Sequence, residues 1–332
     1  MNKISKRGLS LMLALIMCLS LLAGINFNVF AATGSVTYRY SGNYVYNWGT
    51  REEEATFLSP MAISYYKGKG TSYEALAALS GSTSQSGAGS SALYYELQSI
   101  MSSGASSNSY KENNTLAKYT DCQDNGNWNS GKISSFYSGN AIGPGWDGGS
   151  TWNKEHTWPN SKGGSACENI FMIRPTSISE NSSRGNTAYG KSGGYYNPNN
   201  ESDGKHDLRG DVARLILGVW VRYGSNSTIK SKMWGSSGVM ESKAVLLEWI
   251  EADPVDTWEL GRNDAVQSIT GTRNVFVDYP ELAFLLMGEE VPADMLSPSN
   301  GDGSIPTMPP LPVAPTDPKQ IFQDASALAP DE

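Results

Sequence analysis

One stretch of this chain restricts its fold more than any other. Between Leu208 and Tyr223, the residues Val212, Leu215, Ile216, Val219 and Trp220 recur at i, i+3, i+4 and i+7, the period of a helix. The apolar surface is wide, so this helix needs neighbours on several sides and a central position. The other segments must then supply the layers that cover it.

Several of them read as helices. Ala92, Leu93, Leu97, Ile100 and Met101 predict one, and Ser242 to Glu251 another with Val245, Leu246, Trp249 and Ile250 inward. Glu259 to Ile269 and Tyr279 to Leu286 are two more, and Tyr73 to Leu79 is a short one. Thr50-Arg51-Glu52-Glu53 resembles a capping box. A helix is therefore expected there, with Ala55, Leu58, Ala62 and Tyr65 on one face and a kink or break at Pro60. Gly81 to Ser91 is a Gly/Ser-rich loop. Asn108 to Gly149 reads as short strands and loops, with one strand at Ile133 to Tyr137, and Gly185 to Lys205 reads as a surface loop. No internal repeat is visible. The expected class is α+β, a mostly helical single domain over residues 32–290.

The ends read differently. Lys3, Lys6 and Arg7 precede a mostly apolar run from Leu9 to Ala23, and Val29-Phe30-Ala31 suits cleavage before Ala32. Residues 1–31 thus resemble a secretory signal peptide. The apolar run is shorter than the roughly 20 residues a membrane span needs. The expected location is secreted and extracellular, with no membrane attachment after cleavage. Prolines accumulate in residues 291–332, a tail that cannot form a core. Removing three of the 25 basic residues with the signal, and none of the 33 acidic ones, leaves a net charge of −11. Such a surface stays soluble and resists general adhesion to polyanions. Cys122 and Cys167 then remain, able to pair in an oxidising compartment for roughly 4 kcal/mol or to stay as two buried thiols.

Chemistry concentrates in Trp152-Asn153-Lys154-Glu155-His156-Thr157-Trp158-Pro159-Asn160-Ser161. The chain has 2 histidines, and one of them stands here beside a carboxylate. Neighbours on a flat strand point to opposite faces, so Glu155 and His156 serve one site only if the chain bends there. The plainer reading is one buried and one solvated strand residue. Further on, Asn181 and Arg184 share a face if Ile173 to Asn186 contains a helix. Asn181 can give an oxygen to a hard cation alongside Glu155, and Arg184 can clamp a phosphate bidentately. The plainer reading makes Asn181 a helix cap and Arg184 a solvated charge. His206, in a polar run, reads as a loop histidine.

These blocks, with Arg209-Gly210-Asp211-Val212-Ala213-Arg214 and Gly271 to Glu281, are similar in content and order to the secreted endonuclease I family of bacteria. The resemblance runs from about Tyr46 to Leu286 and implies a ββα-metal (His-Me finger) core. It implies His156 as the general base and Glu155 and Asn181 as metal ligands; Arg184, from the same block, is expected to be a catalytic phosphate contact. The implied cofactor is a divalent cation, Mg²⁺ first, with Ca²⁺ or Mn²⁺ as alternatives. The implied reaction is hydrolysis of DNA, RNA or both, leaving 5′-phosphates; the expected state is a monomer with no obligate protein partner. The chain departs from the family at Asn169-Ile170-Phe171, where many members carry a histidine. Arg209, Asp211, Arg214, Arg273, Asn274 and Asp278 are expected to be structural.

Charge gives partial support. From Lys154 to Lys232, eleven basic residues stand against seven acidic, a local +4. The rival is a secreted carbohydrate-binding or glycan-cleaving protein, which the 9 tryptophans, 17 tyrosines and acidity would suit. A noncatalytic adhesion module comes third. The absence of a His-Glu-x-x-His run disfavours a zinc protease.

Overall fold

Polar caps decide where most of the helices begin. A computed structural model of the chain describes residues 36, 38–80, 87–122, 132–143, 145–199 and 207–299. Residues 1–31, read above as a signal peptide, His206, residues 81–86 of the Gly/Ser-rich stretch and the residues beyond 299 lie outside the described residues.

The first described elements are β1 (Tyr40–Ser41) and β2 (Tyr44–Val45), paired antiparallel. Helix α1 spans Pro60–Lys69, which corrects the expectation of a helix capped at Thr50. Pro60 cannot sit in a helix interior but suits the first turn. Ser59, extended at ψ 153, accepts from Ala62 N at 3.1 Å and caps it. Residues 50–55 instead lie against the 253–257 segment, where Ala55 N donates to Val255 O and Thr257 N to Glu53 O, each at 2.7 Å.

Helices α2 (Tyr73–Ala77) and α3 (Ala92–Ser102) follow as expected, capped by Ser72 and Ser91. Helix α4 (Asn113–Thr120) lies where strands and loops were predicted. Its polar Asn and Thr residues are weak helix formers, so packing of Leu116, Ala117 and Tyr119 decides its state. Strands β3 (Ile133–Ser134) and β4 (Ala141–Ile142) form a small antiparallel pair, shorter than the predicted Ile133–Tyr137 strand. Strands β5 (Trp152–His156) and β6 (Ile173–Ser177) pair antiparallel over five residues, with Glu155 opposite Arg174 and His156 opposite Ile173. Helix α5 (Ile178–Arg184) starts directly after β6 with a Ser177/Glu180 capping box. The order is thus strand, strand, helix.

Helix α6 (Arg209–Arg222) is the central element that its apolar width demands: 13 of its 14 residues are buried. After α7 (Ser227–Ser231) come α8 (Lys243–Ala252), α9 (Thr257–Thr270), α10 (Val275–Asp278) and α11 (Glu281–Met287). Helices α3, α8 and α10 pack on α6. Gly218 allows the close approach of the segment carrying Asn274, since a Cβ there would lie 2.5 Å from Asn274 Oδ1. Asn274 can then donate from Nδ2 to Arg214 O at 2.9 Å. Residues up to Ser299 remain packed: Met295 is buried, and Ser297 and Ser299 hydrogen-bond Glu281. The class is α+β, with strands confined among the described residues to three two-stranded sheets. No helix among them is long and apolar enough to cross a membrane.

Charged networks stitch these elements together from inside. Asp121 accepts from Arg262 Nε at 2.9 Å and Arg174 Nη1 at 3.3 Å, joining α4, α9 and β6. Burial opposes its ionisation, but the two guanidiniums hold its pKa below the usual carboxylate range. Arg262 also donates to Ile170 O and Ile173 O, at 2.9 and 3.1 Å, fixing the start of β6. Arg273 pairs with Asp264 and with Asp278 at 2.7 Å, and Arg214 with Glu259 at 2.7 Å. The expectation that these charged blocks are structural agrees with this burial. Cys122 and Cys167 are both buried and are not joined to each other. Each thiol turns to a backbone carbonyl instead, Asn47 O at 3.1 Å and Gly164 O at 3.4 Å.

Candidate active site

Strand β5 is paired along one edge, with β6. Asn153, Lys154, Glu155 and His156 all border one open cavity of about 380 Å³. A flat strand cannot offer four consecutive side chains to one face, so the cavity is bordered by residues from both faces of the strand. That resolves the alternation problem: Glu155 and His156 share a site although they are sequence neighbours. Helix α5 and the turn after it supply the opposite wall with Asn181, Arg184, Gly185 and Asn186. Tyr110 and Trp146 close one end.

His156 is held at one nitrogen. Its Nε2 lies 2.9 Å from Glu168 Oε1, and the same oxygen accepts from Asn160 Nδ2 at 3.0 Å. A carboxylate only accepts, so in the neutral imidazole the proton belongs on Nε2 and Nδ1 carries the lone pair. Nδ1 makes no hydrogen bond with any described residue. The ring of Tyr110 lies against the imidazole, centroids 5.3 Å apart.

Glu155 is 2% exposed. Its Oε1 accepts from Tyr137 OH at 2.8 Å and lies 3.4 Å from Arg184 Nη1. Burial pushes its pKa up, against the opposing pull of Arg184, Tyr137 and His156. Its Oε2 has no hydrogen-bond partner among the described residues. The half-buried Asn181 side chain is likewise unbonded on the cavity wall, while its backbone carbonyl accepts from Gly185 N.

Arg184 borders the cavity, but its two terminal nitrogens are engaged, while its buried Nε has no hydrogen-bond partner among the described residues. Nη1 donates to His156 O and Gly185 O at 3.1 and 3.0 Å, and Nη2 donates to Thr157 O at 2.7 Å. The side chain is 1% exposed and packs on the Tyr189 ring, 4.6 Å from its centre. It is neither the solvated charge of the plain reading nor a fork open to a phosphate. Of the other charged residues from the sequence blocks, Arg209, Asp211, Arg214, Arg273 and Asp278 do not line this cavity.

Among the described residues, no group of three or more His, Cys, Asp or Glu side chains is placed to hold a metal ion. Glu155 Oε2 and the Asn181 amide oxygen are hard donors without protein partners. That donor set fits an oxygen-liganded cation such as Mg²⁺, which commonly keeps several waters.

The sequence pattern gives no sign of Tyr137, Tyr110 or Glu168. Glu168 is twelve residues from His156, and no spacing rule joins them. One signal was available: Glu168 immediately precedes Asn169-Ile170-Phe171, where the family pattern is broken. Those three residues are buried. Asn169 donates to Tyr223 OH at 2.5 Å and accepts from Phe171 N at 3.0 Å, so the segment anchors the loop that presents Glu168.

Comparison with known proteins bears on this arrangement. A family model described as Endonuclease I matches residues 89–281, a span that contains every cavity residue named above. The chain is 34% identical over 151 residues to an extracellular ribonuclease of Bacillus subtilis (strain 168), covering 40% of this chain and 52% of that protein. It is 35% identical over 158 residues to an extracellular ribonuclease of Bacillus amyloliquefaciens, covering 41% and 55%. The chain thus spans about half the length of the curated relatives it matches. No solved structure matches it.

Proposed function

The chain belongs to the endonuclease I family, and from that premise we propose that it is a secreted, metal-dependent endonuclease hydrolysing phosphodiester bonds within DNA and RNA. One observation carries the reading. An imidazole oriented by Glu168, with Nδ1 unbonded, shares a cavity with a buried carboxylate that keeps one oxygen unbonded.

His156 Nδ1 takes a proton from water as the water oxygen attacks phosphorus. The bond to the 3′ oxygen breaks, that oxygen takes a proton from solvent water and leaves as a hydroxyl, and the phosphate stays on the 5′ end. Glu168 keeps the imidazole in the required tautomer and orientation. Glu155 and Asn181 would hold the cation, Mg²⁺ first and Ca²⁺ or Mn²⁺ next. When bound, it supplies positive charge against the phosphate and the departing oxygen. Arg184 acts on position: it fixes the carbonyls of His156 and Thr157 and partners Glu155. No step uses a 2′-hydroxyl, so the chemistry admits DNA as well as the RNA named for the relatives.

The glycan-cleaving rival meets an obstacle here. The usual glycosidase mechanisms use two facing carboxylates, whereas Glu155 is the one carboxylate bordering this cavity among the described residues. The test is cleavage of plasmid DNA and of RNA by the purified chain with Mg²⁺, Ca²⁺, Mn²⁺ or EDTA. Nicking that EDTA abolishes is expected. Intact polymers under every metal would refute the proposal.

A further inference from the structure

The cavity extends beyond Glu155 and His156 to a second group of side chains. Lys154 Nζ lies 3.6 Å from the centre of the Tyr110 ring and 4.8 Å from that of Trp146, and it donates to Tyr110 O at 3.2 Å. No carboxylate of a described residue is within ion-pair distance of it. The neighbouring cation Arg184 is buried and tied to backbone carbonyls. Among the described residues lining this cavity, Lys154 is therefore the Lys or Arg side chain that remains available to an anion.

The rings beside it are held in place and still reach the cavity. Tyr110 is 37% exposed. Trp146 is half-buried and is backed edge-on by the fully buried Trp152, centroids 4.9 Å apart. Trp152 Nε1 donates to Gly145 O at 3.1 Å, and Asp147 Oδ1 accepts from Ser150 N and Thr151 N at 2.8 and 3.1 Å, which stiffens the loop carrying Trp146. Lys154 and His156 are two residues apart on β5, roughly 6.6 Å along the strand. A cation flanked by aromatic faces is the arrangement that tracks a single-stranded nucleic-acid backbone while stacking its bases.

We propose that Lys154, Tyr110 and Trp146 form a nucleotide subsite beside the cleavage position. The ammonium, which lies between the two rings, swings out to take the phosphate next to the scissile one, and the base takes the place it leaves. A base can occupy these rings only when it has left a duplex stack. Single strands and unpaired regions are thus the preferred substrates, and the enzyme reads a base face rather than a sequence. This inference rests on the endonuclease reading and adds the substrate class to it.

The experiment compares kcat/KM on one defined single-stranded oligonucleotide, on its duplex, and on copies carrying one abasic residue walked along the strand. The proteins are the wild type, Tyr110→Ala, Tyr110→Phe, Trp146→Ala and Lys154→Ala, each checked by its unfolding transition to be fully folded under the assay conditions. An abasic residue at one position flanking the cut should slow the wild type by about 5- to 150-fold, the range of single-base stacking losses. In Tyr110→Ala the intact strand should be slowed by a similar factor and the abasic strand no further, while Tyr110→Phe keeps the wild-type pattern. Lys154→Ala should lower the magnitude of the salt dependence by about one phosphate contact. Equal abasic penalties in the wild type and Tyr110→Ala, or equal losses on duplex and single strand, would overturn the subsite and leave the endonuclease reading standing. A wild type that cleaves none of the strands refutes that reading, and the subsite falls with it.

Discussion

Two regions of this molecule are rich in charge and use it in opposite ways. Around α9 and α10, Arg273 is shared between Asp264 and Asp278, and Arg214 between Asp211 and Glu259, all nearly without solvent exposure. Along β5, His156 keeps Nδ1, Glu155 keeps Oε2 and Lys154 keeps its ammonium clear of protein counterions. The first region consumes charge to join helices; the second holds it ready for a ligand. The difference is invisible in a count. Of the eleven cations between Lys154 and Lys232, Arg174, Arg184, Arg214 and Arg222 are buried in the interior. The local +4 is therefore not a positive face. An acidic protein acting on a polyanion would depend on the cation proposed for Glu155 and Asn181 and on Lys154, rather than on long-range attraction.

The largest effect should come from removing the base. His156→Ala is expected to lower turnover by about 10²–10⁴-fold with an unchanged unfolding midpoint, and Glu168→Gln by roughly tenfold, as loss of orientation rather than of the base. Near-wild-type turnover in His156→Ala would erase the contrast, because β5 would then be as structural as the helices. Arg273→Ala should do the reverse. It strands two buried carboxylates and should cost about 3–5 kcal/mol of stability, since breaking a buried pair leaves uncompensated charge. Urea unfolding reads that loss, and turnover per folded molecule should hold. Lys154→Ala provides the counterpart, at about 1 kcal/mol or less, the scale of an exposed cation–π contact. If Arg273→Ala cost no more than Lys154→Ala, the division between the two regions would be wrong.

Much of this arrangement can be read in the sequence, for physical reasons. Leu208–Tyr223 announces α6 because a helix buried on every side needs apolar residues all round. Glu155, His156, Asn181 and Arg184 meet because a hairpin and the helix that follows it are local in the chain. What stays hidden is set by tertiary structure. Pro60 reads as a break in a helix that Thr50 begins, whereas Ser59 makes it the first turn. Asn113–Thr120 looks too polar for a helix until α9 and the core cover it. Arg184 looks like a phosphate clamp because its spacing from Asn181 is right, but spacing does not reveal that the carbonyls of His156 and Thr157 occupy the guanidinium. Glu168 has no periodic relation to His156 and reaches it through a loop pinned by Asn169 and Arg262.

The smallest predicted effect tests the interior network through pH. Glu259 is pushed up to about 7 by burial, against the opposing pull of Arg214 and with Asp211 adding to the rise. Asp253 and Asp256 are also raised, by burial and then by Asp211. An acid whose folded pKa exceeds its unfolded value binds protons more tightly in the folded state. Its stabilisation is present at low pH and is lost as pH rises from the unfolded value toward the folded one. For Glu259 that window runs from the ordinary carboxylate range to about 7. The unfolding midpoint should therefore be higher at mildly acidic pH than above neutrality, by about 2–4 °C for each kcal/mol involved, and Glu259→Gln should flatten the slope. A midpoint that instead climbs steadily through this window would mean that the guanidiniums of Arg51 and Arg214 outweigh burial. The helical region would then hold its carboxylates ionised, and the two regions would differ in solvent access alone.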